Sequence, residues 1–307
     1  MKHTIFIVFT LLSLNLLGQN LTEKVGQIEV QLIQHRFVRN SDYELTKKIT
    51  NRKNRPYLKL YFDSTGVLLK TISYGKHHNT DLRLIDNIKL FKYDNEKLVE
   101  SIKYESDYQK NIYPYWKLKY TYNGKGELID ESSFDYEADS LFFKTTYEFK
   151  TTYEYDDNSN RIKSIFDPTY YYHREFDSIN RIISLKQIHD NRIRWEWKYT
   201  YSGNKRIGIF QTYYNDGKDY SKEEIQTYNE KGFLIETEEK YISKNGLDTK
   251  VKIFYDSNGM IKKIEFYESY STEDGYKLIS YTDVKIKSKL KITFEIVEKI
   301  NEQINVE

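Results

Sequence analysis

The sequence predicts an all-β fold: tandem β-hairpin repeats forming a curved antiparallel sheet or an open solenoid-like shell. Three observations carry this expectation. A turn motif recurs eight times, the residues before it alternate with period two, and the composition suits strands. The motif reads aromatic, Asp/Asn/Ser, two polar residues, Gly or Asn, any residue, then Leu or Ile. Copies run from Phe62 to Leu68, Tyr122 to Leu128, Phe176 to Ile182, Tyr201 to Ile207, Tyr228 to Leu234 and Tyr255 to Ile261. Tyr93 to Leu98 is one residue shorter, and Tyr155 to Ile162 one longer. The mean spacing of about 28 residues lies within the range of known repeat arrays. Before the turns, Tyr147, Phe149, Thr151, Tyr153 and Tyr155 share one face, as do Trp195, Trp197, Tyr199 and Tyr201. Such alternation marks a strand with one buried face. The chain holds 30 Tyr and 16 Phe, whereas Ala138 is its only alanine. Aromatic residues fit a pleated surface, and alanine is the best helix former.

Taken in chain order, residues 1–18 read as a signal peptide. Lys2 supplies the positive start, and Thr4 to Leu17 is a nearly unbroken apolar run, too short for an ordinary membrane span. Cleavage is expected after Gly18, and no integral span is expected after it. Residues 19–56 form an N-terminal segment expected to supply a capping strand. Residues 57–282 carry the eight hairpins. In each, the Asp or Asn after the aromatic opens the turn by bonding the backbone two residues on. The Gly or Asn three residues later takes a positive φ. Pro56, Pro114 and Pro168 all fall between motifs. Residues 283–307 are expected to form an edge strand and tail, because the lysines of Val284–Phe294 discourage further strand addition.

Sixteen-odd strands exceed what an open twisted sheet holds without curling or splitting. The sheet is therefore expected to curl, with its aromatic face lining an interior. Tyr153, Tyr155, Trp195, Trp197, Tyr199 and Tyr201 should then be buried, and Glu154, Glu196 and Lys198 exposed.

Chemistry is constrained mainly by exclusion. Lys and Arg number 48 against 46 Asp and Glu, a net charge of +2 without a basic stripe, so no nucleic-acid partner is expected. There is no cysteine, hence no disulfide, thiol nucleophile or thiolate ligand. No His-Glu-x-x-His, P-loop or Gly-x-Ser-x-Gly pattern is present. The adjacent His77 and His78 lie in a predicted loop and read as solvent-exposed. The recurring Asp63, Asp94, Asp156, Asp177 and Asp256 read as turn formers, not calcium ligands. No catalytic residue, metal or cofactor is expected. Trp116, Trp195 and Trp197 are the candidates for stacking on sugar rings, with core packing the competing use for the latter two.

The motifs resemble the YD-repeat, or RHS-repeat, family. Tyr93-Asp94, Tyr155-Asp156 and Tyr255-Asp256 match its Tyr-Asp element. Asn160-Arg161-Ile162 and Asn180-Arg181-Ile182 stand where its Gly-Arg-Leu-like residues would be. The resemblance implies curved β-sheet shells. The array here is short, and nothing in it resembles the core module that precedes a toxin in that family. The expected function is an exported, non-enzymatic binding or scaffold surface for a protein or glycan of the cell envelope or beyond. The rivals are a glycan-acting enzyme with a site across repeats, and an accessory protein that sequesters a secreted effector.

Overall fold

The computed structural model describes residues 28–39, 45–49, 56–76, 83–106, 112–136, 145–214, 217–242, 247–269 and 275–304. The signal-peptide segment 1–18 and His77-His78 lie outside these residues. The first strands are β1 (Ile28–Arg39), β2 (Leu45–Ile49), β3 (Leu58–Phe62), β4 (Leu68–Lys76), β5 (Arg83–Asp94), β6 (Lys97–Ser106) and β7 (Ile112–Tyr122). Next come β8 (Leu128–Tyr136), β9 (Thr145–Tyr155), β10 (Arg161–Asp167), β11 (Tyr170–Phe176), β12 (Ile182–His189) and β13 (Arg192–Ser202). The chain continues through β14 (Lys205–Tyr214), β15 (Gly217–Tyr228), β16 (Leu234–Tyr241), β17 (Asp248–Tyr255), β18 (Ile261–Ser269) and β19 (Lys277–Ser288) to helix α1 (Phe294–Ile304).

Each motif joins an odd strand to the next even one, from β3–β4 to β17–β18, so all eight motif turns gather at one end. In the first turn the Asp63 carboxylate accepts the Thr65 and Val67 backbone N–H groups at 2.8 and 2.9 Å. Asn123, Asp156, Asp177, Asn229 and Asp256 each accept the same two N–H groups of their own turns. Three residues on, Gly66, Gly126, Ser159, Asn180, Gly232 and Gly259 all have positive φ. The Tyr155 copy is therefore not lengthened. Ser159 takes the glycine's conformation, and Arg161 pairs with Tyr155 as Leu128 pairs with Tyr122. The short copy closes through Asn95 and Glu96, both at positive φ, as a two-residue turn.

Because Asn already serves at two of these turns, Asp256→Asn should shift stability by no more than about 0.5 kcal/mol in a urea titration. A chelator should change nothing. A loss of stability shared by chelator and substitution would mean that Asp256 binds calcium.

The motif tyrosine ties neighbouring repeats together. Tyr122, Tyr155, Tyr201 and Tyr255 donate their hydroxyls to the carbonyls of Leu98, Leu128, Ile182 and Leu234, at 2.7–2.9 Å. Each acceptor restarts the strand after the preceding motif turn. Tyr155→Phe should cost about 0.5–1.5 kcal/mol, the net worth of one such bond, read from the denaturation midpoint.

The sheet closes, which corrects the expectation of an open sheet or solenoid. β1 runs antiparallel to both β19 and β3, pairing Ile28 with Ser288 on one side and Phe62 on the other. One strand thus consumes both edges, and β1 with β3–β19 makes a closed barrel of 18 strands. β2 pairs with the far end of β1. The N-terminal strand is accordingly a seam and not an end cap. The expected edge strand at Val284–Phe294 is also corrected. Up to Ser288 it lies inside the barrel wall beside β1, and from Phe294 the chain is helical. Pro114 lies within β7 opposite Tyr104, where a register shift accommodates it.

Register is continuous around the wall, so the faces can be followed from strand to strand. One face runs through Val30, Leu60, Phe91, Leu118, Tyr153, Trp195, Trp197, Val251 and Phe266. Helix α1 shows which way it points. Lys299 donates to the Thr65 carbonyl at 3.2 Å, and Asn301 donates to the Gly259 carbonyl at 2.7 Å. Those two turns are four strand spacings apart, roughly 19 Å of sheet. Helix residues two positions apart reach both only from inside the curve. The helix buries Ile296, Val297, Ile300 and Ile304 in a cluster with Ile28, Val30, Leu60, Phe62, Ile253 and Ile264. The aromatic face therefore lines the lumen. A smaller cluster of Tyr61, Ile72 and Ile88 lies on the opposite face.

Candidate functional site

The lumenal wall over β10–β15 holds the densest chemistry. Its rings form a continuous strip. Tyr170 and Tyr172 each lie 5.1 Å from Phe166, Tyr172 lies 5.6 Å from Trp195, and Trp195 lies 5.8 Å from Phe210. Phe210 is 5.0 Å from Trp197, which lies parallel to Tyr199 at 5.8 Å. Gly208 makes room for the last pair: a Cβ there would sit 3.0 Å from both rings. Lys222 stands 5.3 Å from the Trp197 ring and bonds Glu239 at 2.9 Å.

Beside the strip lies a polar belt. Arg161 is 5.0 Å from the Tyr153 ring, and Arg174 donates to Ser164 at 3.0 Å. Arg206 lies 4.9 Å from the Tyr199 ring and 3.6 Å from Glu224. Burial raises the pKa of Glu131, with Arg161 opposing in part. Burial also raises that of Glu224, against the pull of Arg206. Burial first, then the repulsion of Arg161, lowers the pKa of Arg174. Tyr153 and Tyr199 are both pushed up to about 12, chiefly by burial.

A carboxyl with a raised folded pKa makes the fold lose stability as pH rises from its unfolded value through its folded one, and the loss persists above. Glu131→Gln removes that penalty. The variant should melt higher than the parent near about pH 8, and the difference should close towards about pH 4, where both forms are neutral. A pH-independent difference would show that ionisation of Glu131 is not its cause.

Of the sugar-stacking candidates, Trp195 and Trp197 share the strip. Trp116 is also lumenal, but it stands six strands away on β7, with Lys89 5.5 Å from its ring. The six aromatics expected to be buried are only half-buried. A barrel of 16–18 strands is too wide for side chains to fill, so its inner face stays partly wet. Phe149, on the same face, is 51% exposed. Glu154 and Lys198 are exposed as expected, but Glu196 is only 6% exposed. Lys198 at 3.2 Å, Tyr213 at 3.4 Å and Lys186 at 3.8 Å close over its carboxylate. Sequence reading missed Glu131, Arg174, Arg206 and Glu224. The available signal was a charged residue standing at an aromatic-face position of its strand.

No family model and no curated protein matches the sequence. Among solved structures, a porin-like protein from Bacteroides uniformis is 10% identical, covers 87% of this chain and 99% of its own, and has a TM-score of 0.37. The TcdB2-TccC3-Cdc42 structure is 14% identical over 74% of this chain, with a TM-score of 0.28, and this chain spans only 14% of that one. A Bacteroides fragilis protein of unknown function is 12% identical over 66% of this chain, with a TM-score of 0.17.

Proposed function

We propose that this is an exported, non-enzymatic YD-like repeat protein whose barrel binds a ligand of the cell envelope or its surroundings on the lumenal aromatic strip. The observation that carries the reading is the strip itself. Tyr172, Trp195, Phe210, Trp197 and Tyr199 stand half-exposed on one concave wall, with Arg174, Arg206 and Lys222 alongside. Aromatic faces bordered by a few placed polar groups are the usual make-up of a ligand site. Both faces of the wall carry charges at mid-strand, such as Glu131 and Glu224 inside and Lys163, Lys186 and Lys250 outside. A lysine facing lipid near the bilayer midplane costs about 2–4 kcal/mol, so this wall suits water on both sides.

The test mixes the protein with oligosaccharides released from cell envelopes. Tryptophan emission is followed, and the saccharides are then analysed by chromatography. The expected result is a saturable emission change, lost in Trp195→Ala and Trp197→Ala, with the saccharides unaltered. Shortened saccharides would favour the glycan-acting enzyme. Absence of any saturable change would remove the lumenal binding reading.

A further inference from the structure

We infer that Arg161 and Arg174 form a binding site for an oxyanion, a carboxylate, phosphate or sulfate group, carried by the ligand of the barrel. This deepens the proposed function and rests on it. The two arginines sit on adjacent strands, β10 and β11, and both project from the lumenal face. Arg161 pairs in register with Tyr155, and Arg174 bonds Ser164 beneath the strip. Neither has a carboxylate within 4.0 Å among the described residues. The neighbouring arginines differ in this respect: Arg181 bonds Asp177 at 2.8 Å, and Arg206 faces Glu224 at 3.6 Å.

A guanidinium offers five N–H donors in a planar fork that matches the oxygens of an oxyanion. Arg174 spends one donor on Ser164, and Arg161 rests its charge against the Tyr153 ring. Both side chains stand on the lumenal face and are only partly buried there. Two like charges on a half-buried wall repel, and Arg161 disfavours the charge on Arg174. An anion between them relieves that repulsion and gains charge-assisted hydrogen bonds. Glu131 is the acid that acts on Arg161 from the same face, and its charge opposes an incoming anion. Tyr153 and Tyr172 supply aromatic walls on either side, and Tyr172 leads into the strip at Trp195. The body of the ligand would lie along the rings with its anionic group at the arginine pair.

The experiment titrates the full protein with glucuronate, glucose 6-phosphate and glucose 6-sulfate, with glucose as the neutral control, by calorimetry. At least one acidic sugar should bind tenfold or more tighter than glucose, and which one does so identifies the oxyanion. Arg161→Gln and Arg174→Gln should each weaken that sugar about tenfold and narrow its margin over glucose by a similar factor. Arg174→Lys should restore part of the loss, and Glu131→Gln should tighten binding. Lys198→Gln, on the opposite face, should do nothing. Acidic sugars no tighter than glucose would overturn the oxyanion site, while envelope saccharides that still quench tryptophan emission would leave the lumenal reading standing. If Arg174→Gln weakens glucose and the acidic sugar equally, the preference for the acid does not come from Arg174 and the site is overturned. Preference for the acid lost with Gln and retained with Lys supports it.

Discussion

Phe62→Ala should destabilise the protein by about 3–5 kcal/mol, the largest effect expected of any single truncation in the chain. Phe62 has no exposed surface and pairs with Ile28 at the seam that closes the barrel. It shares its cluster with Leu60, Leu68 and the helix residues Ile296, Val297 and Ile300. Truncation leaves a cavity where β1, β3, β4 and α1 converge, and rigid backbone on all sides limits collapse into it. Phe149→Ala is the comparison. That ring is 51% exposed on the open part of the lumenal wall, and its loss should cost below about 1 kcal/mol. Urea unfolding of both variants checks this. Equal costs would mean that the seam and helix do not form the principal core.

Gly259→Val should cost roughly 2–4 kcal/mol through two separate effects. Gly259 has φ +82, a conformation that a β-branched residue adopts only under strain. A Cβ there would also stand 3.1 Å from the Phe233 ring. The site has little room to yield, because its carbonyl accepts the Asn301 amide of α1 and the neighbouring Ile261 N–H bonds the same side chain. Gly203→Val separates the two causes. Its φ is +57, but nothing lies within 4 Å of the added carbon. It should cost the backbone strain alone, and the difference between the variants measures the contact with Phe233. If Gly203→Val proves as costly as Gly259→Val, the packing against Phe233 contributes nothing.

The repeat unit was legible because its determinants are local. Asp or Asn followed three residues later by Gly or Asn dictates a turn through bonds made within five residues. The alternation of Trp195, Trp197, Tyr199 and Tyr201 assigns a face without reference to any partner. The Tyr155 copy was the exception: it read one residue too long, because Ser159 takes the positive φ that glycine or Asn holds elsewhere. The candidate site was half legible. Trp195 and Trp197 were visible as an aromatic pair, but the arginines and glutamates beside them come from β8, β10, β11, β14 and β15. No spacing rule links residues that meet only across a curved wall.

The sequence by itself determined the all-β class, the eight hairpins, the turn positions and which face carries the rings. Each of these depends on interactions within one repeat. Closure was decided only by the tertiary structure. Whether a curled sheet stays open depends on its two ends meeting at matching register, and β1, which pairs with nearby β3, also meets β19 more than 200 residues further along the chain. Helix α1 belongs to the same category. Ile296, Val297, Ile300 and Ile304 are helically spaced, yet the short apolar stretch before them reads equally well as strand. Its seat exists only once the first and last motif turns are brought together. The half-buried state of the aromatic face was settled there too, because the width of the lumen depends on how many strands the closed wall contains.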